Sequence, residues 1–356
     1  MRQWFAKLSS KLLDFMHSYA NYSLFTYKKD GKFMALLVYV DDLVLTGNDP
    51  SICASFKQYL NQCFYIKDLR PLKYFLGIEV ARNSQGLFLC QRKYALDIIE
   101  ECGLLGCKPT ESPMEVNHNL AMATGAPLQN ATQYRRLIGR LIYLIITRPE
   151  LSYAVHILSQ FLQNPREDHM EAARRVLRYL KGNPGQGILL RSNSNLQGSA
   201  YCDSDWGAHP LLRHSLTDVL VRLGGFPISW KTKKQGTVSR SSVEAEYRAM
   251  ATVTSEFIWI KSFLAAMGVF HTTPMKLFCD NQATLHIAKN PVFHERTKHI
   301  EMDCHFVRER LLSGDLVTGY VASKHQVADI LTKALGKQSF HFLTSKMGIV
   351  NPYAPP

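Results

Sequence analysis

The chain has 356 residues, which is enough for two or three domains with sizeable cores. Its 42 Lys and Arg against 29 Asp and Glu give a net charge of +13, which favours a polyanionic partner such as nucleic acid, although solubility alone also explains such a surplus. No apolar run approaches the about 18 residues of a transmembrane helix, and residues 1–5 lack the pattern of a signal peptide, so the composition disfavours a membrane protein.

Eight cysteines are scattered along the chain, and no two of them have the C-x-x-C spacing of a zinc site. Several lie within apolar runs, as Cys202 and Cys279 do. Such residues are typical of reduced core thiols, so we expect an intracellular protein, with the cytoplasm and the nucleus both open.

The first predicted elements are a helix over residues 1–20, with apolar side chains at helical spacing, and a hairpin over residues 23–47. Asp41 and Asp42 interrupt the apolar, β-branched run of the hairpin and are placed at its tip. Two adjacent carboxylates repel each other unless a cation is present, so a divalent metal site is one interpretation. An ordinary Asp-containing turn is the other.

The next segments predict a helix over 51–63, strands near 74–81 and 86–90, and a helix over 92–102 that ends near Gly103. A linker rich in Pro, Thr and Gly covers about 108–130. Three helices follow, over about 134–146, 150–162 and 167–181.

The last of these three helices carries a set of basic side chains at spacings of three and four, which places them on one side. They are Arg174, Arg175, Arg178 and Lys181. A solvated helix face explains such a set, and a surface along a nucleic-acid backbone explains it equally well.

A further domain is predicted from Ser199 onwards, in the order strand, strand, strand, helix, strand, helix and final helix. Acids stand at the ends of its elements: Asp203, Glu244, Glu246, Asp280 and Asp329. Acids at these positions are commonly helix caps, and several that converge are typical of a metal site.

Several sequence blocks carry a resemblance to a known family. The stretch Tyr39–Asp49 resembles the catalytic loop of reverse transcriptases from copia-type retrotransposon polyproteins. Further blocks that match this family, the last four in its ribonuclease H region, are Arg2–Trp4, Leu72–Glu79, Gln91–Tyr94, Val238–Ser242, Glu244–Tyr247, Arg296–Ile300 and Ala328–Lys333.

The resemblance implies an α/β fold with a truncated reverse-transcriptase palm and a helical thumb or connection. A ribonuclease H-like domain, with a mixed sheet flanked by helices, follows them. The implied boundaries are 1–110 for the partial palm, 111–190 for the helical part and 191–345 for the ribonuclease H-like domain, with a tail over 346–356.

The resemblance also implies a metal site, because two Mg²⁺ ions can activate water and stabilise the leaving oxygen in phosphodiester hydrolysis, and Mn²⁺ is the alternative metal. The metal-binding and catalytic acids carried over are Asp203, Glu246, Asp280 and Asp329, together with Asp41 and Asp42 of the hairpin. Glu244 is the alternative to Glu246, since a helix turns about 100° per residue and the two cannot both face the metals.

The implied partner is an RNA/DNA hybrid or another nucleic acid. Besides Arg174, Arg175 and Arg178, the residues assigned to its binding are Lys298, His299, Arg308 and His325, the last as a loop His that helps release product. Exposed helix and loop positions are the plainer explanation for these four.

Two departures from the family pattern weaken the functional interpretation. A further metal-binding Asp of the palm and the fingers region would precede Met1, so we expect no DNA synthesis by this chain alone unless another chain supplies them. Between Trp206 and Gly224, Asp218 replaces a Gly, Val219 replaces an aromatic residue and Arg222 lies within a strand. The expected function is ribonuclease H-type cleavage, and the alternatives are a non-catalytic nucleic-acid-binding protein or a fragment without function.

Overall fold

The computed structural model describes residues 15–64, 66–208, 212–290 and 300–352. The chain divides into two compact units. The first contains residues up to Leu72 and Glu256–Thr272, and the second contains Lys73–Ser255 and residues from Thr273 onwards. None of the helices in the described part of the chain is long and apolar enough to span a membrane.

The first unit is built on an antiparallel four-stranded sheet in the order β1-β2-β3-β4. Its strands are β1 (Met16–Ser18), β2 (Asn21–Lys29), β3 (Lys32–Tyr39) and β4 (Asp42–Gly47), and they are followed by helix α1 (Pro50–Phe64). Phe25, Leu36 and Val38 of the sheet form a buried cluster with Leu60 of α1. This packing accounts for the apolar pattern that predicted both the strands and the helix.

The turn between β3 and β4 is the tight hairpin that the sequence predicts. Tyr39 pairs with Asp42, so only Val40 and Asp41 form the turn. Val40 has a φ of 51°, which is unusual for a β-branched residue and costs free energy.

The second unit begins with an antiparallel five-stranded sheet in the order β14-β8-β7-β6-β5. Its strands are β5 (Tyr74–Phe75), β6 (Ile78–Asn83), β7 (Gly86–Cys90), β8 (Gly187–Arg191) and β14 (Ile349–Val350). This sheet joins residues that are far apart in the sequence, because β8 pairs with β7 on one side and with β14 on the other.

Helices of the second unit surround one large apolar core. They include α2 (Arg92–Glu101), α3 (Ala131–Leu144), α4 (Ser152–Ser159), which follows a 3₁₀ turn at Pro149–Leu151, and α5 (Glu167–Gly182). Ile98, Leu141, Leu158 and Leu177 of these helices are almost completely buried. Leu331 and Met347, much later in the chain, belong to the same core.

A mixed five-stranded sheet in the order β11-β10-β9-β12-β13 completes this unit. The strands are β9 (Gly198–Asp205), β10 (Leu216–Leu223), β11 (Phe226–Lys234), β12 (Met275–Cys279) and β13 (Leu316–Tyr320). β9, β10 and β11 are antiparallel neighbours, whereas β12 is parallel to β9 and β13. The accompanying helices are α6 (Ser242–Ala266), α7 (Gln282–Lys289), α8 (Glu301–Leu312), α9 (Asp329–Thr332) and α10 (Lys337–Met347).

The α/β class is therefore confirmed, and so is a mixed sheet with helices in the region that the sequence assigns to it. Several elements differ from the prediction. Residues 16–18 form β1 rather than the end of a first helix, whose residues 1–14 lie outside the described part. The helix that Asp329 opens ends at Thr332, and a separate helix, α10, begins at Lys337. Residues 346–350, assigned to the tail, end α10 and form β14.

The departures in β10 have different structural consequences. Arg222 is half-buried and its guanidinium Nε donates to the carbonyl oxygen of Gly225 at 2.9 Å, so its charge is accommodated at a strand end. Asp218 is completely buried and lies opposite Asp203 in the antiparallel pair.

Candidate active site

The central pair of parallel strands brings two carboxylates to the same edge of the mixed sheet. Asp203 lies near the end of β9, and Asp280 directly follows β12. Asp203 is 2 % exposed and accepts a hydrogen bond from the Thr332 hydroxyl at 2.7 Å. The half-buried Asp280 accepts one from the Ser323 hydroxyl at 2.8 Å. These neutral hydroxyl donors hold the two carboxylates in place without adding a positive charge beside them.

Helix α6 adds Glu246 to these two acids. Its Oε1 accepts a hydrogen bond from the backbone N–H of Ser204 at 3.2 Å, which directs the side chain towards β9. One carboxylate oxygen from each of Asp203, Glu246 and Asp280 lies within 4.8 Å of the others. Burial, reinforced by the charge of Asp203, raises the pKa of Glu246 to about 10. The three side chains can therefore share a charge-compensating cation.

Asp329 approaches the same group from the start of α9. Burial and the nearby Asp203 raise the pKa of Asp329 to about 7. The Nζ of Lys333 lies 2.9 Å from Asp329 Oδ1 and 3.1 Å from Asp203 Oδ2, so one cation bridges both carboxylates. Lys333 belongs to a block that carried the family resemblance, yet the sequence analysis gave it no role. Its spacing of four residues from Asp329 on a predicted helix is the signal that could have identified the pair.

Glu244, the alternative to Glu246, has a different environment. Its carboxylate lies 2.7 Å from the Arg248 guanidinium and accepts a hydrogen bond from the backbone N–H of Arg240, also at 2.7 Å. A carboxylate that is buried against an arginine and the start of its own helix has a structural role. The geometry therefore favours Glu246 as the third acid.

The hairpin acids of the first unit do not form a comparable group. Asp41 and Asp42 are both exposed at the turn between β3 and β4. In the part of the chain that the structure describes, neither belongs to a set of three or more side chains with ligand atoms within 4.8 Å of one another.

Three of the four basic side chains predicted on one side of α5 are paired with acids. Arg174 and Arg178 lie 3.5 and 2.8 Å from Glu171, and Arg175 lies 3.0 Å from Glu115. These ion pairs are partly exposed and contribute little to stability. They reduce the positive charge that this surface presents to a polyanion, as expected of a solvated helix face.

The other predicted contacts with nucleic acid are dispersed. Lys298 and His299 lie outside the described residues. The Arg308 guanidinium donates to the carbonyl oxygens of Ile287 and Asn290, which ties α8 to the end of α7. His325 is exposed in a 3₁₀ turn, with its ring 5.7 Å from that of Phe342. Of the two described residues, His325 is the one whose exposed position suits contact with a bound molecule.

Replacing the buried Asp218 with Asn should raise the free energy of unfolding relative to the parent, and this difference should grow as pH rises. Burial raises the pKa of Asp218 well above its usual range, and Thr232 on the paired strand opposes that shift only in part. Its carboxylate oxygens make no hydrogen bond of good geometry. The folded parent then retains a proton on Asp218 that the unfolded chain releases above about pH 4. The free energy of unfolding of the parent therefore falls as pH rises above about 4.

The measurement is urea unfolding in chelator between pH 4 and 8. We expect the advantage of Asp218→Asn over the parent to be smallest near pH 4 and to grow steadily towards pH 8. Asp97→Asn, on the partly exposed surface of α2, is the control and should show no such growth. A difference that stays constant over the whole pH range would contradict the assignment.

Comparisons with known proteins place the chain among transposon proteins. Residues 1–116 match the family model described as reverse transcriptase (RNA-dependent DNA polymerase). The chain is 42% identical over 350 residues to the retrovirus-related Pol polyprotein from transposon RE1 of Arabidopsis thaliana, a match that covers 98% of this chain and 24% of that protein. The chain thus spans about a quarter of the length of such curated relatives.

A shorter relative is covered more fully. A putative transposon Ty5-1 protein of Saccharomyces cerevisiae is 36% identical over 215 residues, which are 60% of this chain and 70% of that protein. Among solved structures, the N-terminal RNase H domain of a Mycobacterium tuberculosis protein, solved as a maltose-binding-protein fusion, aligns with 42% of this chain and 98% of that chain. With a TM-score of 0.28 and 11% identity, this likeness is too weak to assign the fold. On the strength of the sequence relatives, the chain belongs to the family of copia-type retrotransposon Pol polyproteins.

Proposed function

We propose that the chain hydrolyses the RNA strand of RNA/DNA hybrids at the site formed by Asp203, Glu246, Asp280 and Asp329. The observation that carries this proposal is the convergence of three of these acids within 4.8 Å, with the fourth joined to them through Lys333. Two lone carboxylates are common on protein surfaces, whereas four that meet in a largely buried position are costly to fold. That cost is offset when cations bind.

The residues suit Mg²⁺, with Mn²⁺ as the alternative metal. All four side chains offer hard carboxylate oxygens, the ligands that these cations prefer. Two such ions, when bound, activate water for attack on the phosphodiester and stabilise the leaving oxygen. Asp203, Glu246, Asp280 and Asp329 would hold the ions.

Neighbouring side chains orient these acids and offset part of their negative charge. The hydroxyls of Thr332 and Ser323 fix the orientation of Asp203 and Asp280. Lys333 offsets part of the negative charge and so lowers the cost of keeping the acids close together without a metal. The exposed His325 would contact the hybrid or the leaving product at the mouth of the site.

The resemblance extends the proposal to the rest of the chain. Residues 1–110 would be part of a palm and residues 111–190 a thumb or connection that lies along the nucleic acid. Asp41 and Asp42 are the palm acids of this scheme. The site of action would be intracellular.

The test is cleavage of an end-labelled RNA/DNA hybrid by the full chain. We expect cleavage of the RNA strand with Mg²⁺ and none with a chelator, while an RNA duplex and a DNA duplex of the same sequence stay intact. Asp280→Asn, purified in the same way, is the matched control because a contaminating nuclease would survive in it.

Two results would overturn the proposal. One is cleavage that Asp280→Asn does not affect, which would assign the activity to a contaminant. The other is a folded chain that binds the hybrid but does not cut it with either metal, which would leave a non-catalytic nucleic-acid-binding protein.

A further inference from the structure

We propose that Cys202, Cys279 and Glu246 form a second metal site, which selects a thiophilic divalent cation such as Zn²⁺ and shares Glu246 with the site for hard cations. One ligand atom from each of these three side chains lies within 4.8 Å of the others. The three residues come from β9, β12 and α6, so the group is assembled by tertiary structure rather than by a local motif.

The register of the sheet explains why the two thiols meet. β12 runs parallel to β9, and Phe278 pairs with Tyr201, so Cys279 and Cys202 are the next residues along the two strands. Side chains alternate along a strand, so Cys202 points to the opposite face of the sheet from Asp203. The two thiols thus lie side by side on one face.

Glu246 completes the group from the helix on that face. Its Oε2 lies 3.8 Å from Cys279 Sγ, while its Oε1 accepts the hydrogen bond from Ser204. A tetrahedral zinc ion with bonds of about 2.0–2.3 Å requires ligand atoms about 3.3–3.8 Å apart. The distance of 3.8 Å between Cys279 and Glu246 lies at the upper end of that range, and the other two pairs lie within 4.8 Å, so a bound ion would draw the three side chains closer together.

A further oxygen lies beside Cys279, just beyond the end of β12. The carbonyl oxygen of Asn281 lies 3.9 Å from Cys279 Sγ. Two thiols beside a carboxylate favour a borderline-soft cation over Mg²⁺, which binds oxygen ligands almost exclusively. The two sulfurs thus distinguish this group chemically from the Asp203, Glu246 and Asp280 set.

Because the two sites share Glu246, a cation bound at one site weakens binding of a cation at the other. Each thiol and the Glu246 carboxyl, which burial keeps protonated without a metal, release a proton to solvent when the thiophilic ion binds, and Glu246 then turns its charge towards that ion. The hard-cation site then loses one of its acids. A thiophilic cation should therefore weaken Mg²⁺ binding, and the converse follows by linkage.

The experiment is a Co²⁺ titration of the reduced, metal-free full chain, followed by absorption spectroscopy. A thiolate-bound Co²⁺ gives a sulfur-to-metal charge-transfer band, which carboxylate ligands cannot produce. We expect a band that saturates at one equivalent and that is lost in Cys202→Ala and in Cys279→Ala. Cys90→Ala, which removes a buried thiol at the end of β7, is the matched control and should keep the band.

A second measurement needs no variant and so does not depend on how the variants fold. X-ray absorption of the zinc-loaded parent chain should show two sulfur neighbours at about 2.3 Å, with oxygen as the remainder. Oxygen-only coordination would overturn the proposal, as would a cobalt band that persists in both site variants. Neither measurement depends on hydrolysis, so a failure of the proposed nuclease activity would leave this result unaffected.

Discussion

Replacing Glu246 with Gln is expected to reduce cleavage of an RNA/DNA hybrid by at least about 100-fold, since changing even the outer partners of metal ligands commonly costs 10–100-fold. The substitution keeps the size of the side chain and the oxygen that accepts from Ser204. It removes the charge that Glu246 contributes beside Asp203 and Asp280. The loss should therefore appear in metal affinity and rate, with little change in thermal stability.

Glu244→Gln is the matched control for this prediction. It makes the same chemical change two residues earlier on α6, where the carboxylate is paired with Arg248. We expect cleavage within a few-fold of the parent and a lower melting temperature, because a buried charge pair is broken. The measurement is the rate over a Mg²⁺ titration for all three chains. If Glu244→Gln reduced cleavage more than Glu246→Gln, the third metal ligand would be Glu244 and not Glu246.

The second large effect is expected at a buried ion pair in the helical part of the second unit. Arg148 and Glu150 are each about 1 % exposed, and the guanidinium Nε lies 2.6 Å from the carboxylate Oε1. The same Oε1 accepts a hydrogen bond from the Gln186 amide at 3.0 Å, and Arg148 also donates to the Asn183 carbonyl at 2.8 Å. Removing one partner leaves the other charge buried and unpaired.

Arg148→Met and Glu150→Leu should each lower the free energy of unfolding by about 3–5 kcal/mol, whereas the double substitution should cost much less than the sum. Arg136→Met is the control, because it breaks an exposed pair with Glu101 and should cost about 1 kcal/mol or less. Urea unfolding of the four variants measures these differences. Additive costs in the double substitution would show that the two residues act independently.

Much of the first unit could be predicted from the sequence because its signals are local. The hairpin with Asp41 and Asp42 is flanked by apolar strands, and α1 has helical periodicity over its whole length. Met16–Ser18 was predicted as helix because its three-residue strand exists only through pairing with β2, and the spacing of apolar residues within the segment itself does not show that pairing.

The acids of the candidate site could be named from the sequence, but their geometry could not. Their positions at element ends are local features, and the order of those elements matched the family. The choice of Glu246 over Glu244 depends on Arg248 and Ser204, which become neighbours only in the folded chain. β13 was missed because Gly319 interrupts its apolar pattern, although that Gly allows close packing against the ring of Phe278.

The pairing of β8 with both β7 and β14 has a consequence for biosynthesis. During translation the ribosome releases β7 long before β8, and β14 long after β8. Until then β8 presents an unpaired edge, and part of the helical core lacks Met347 and Ile349. Folding of the second unit therefore depends on contacts of high sequence separation, which form slowly.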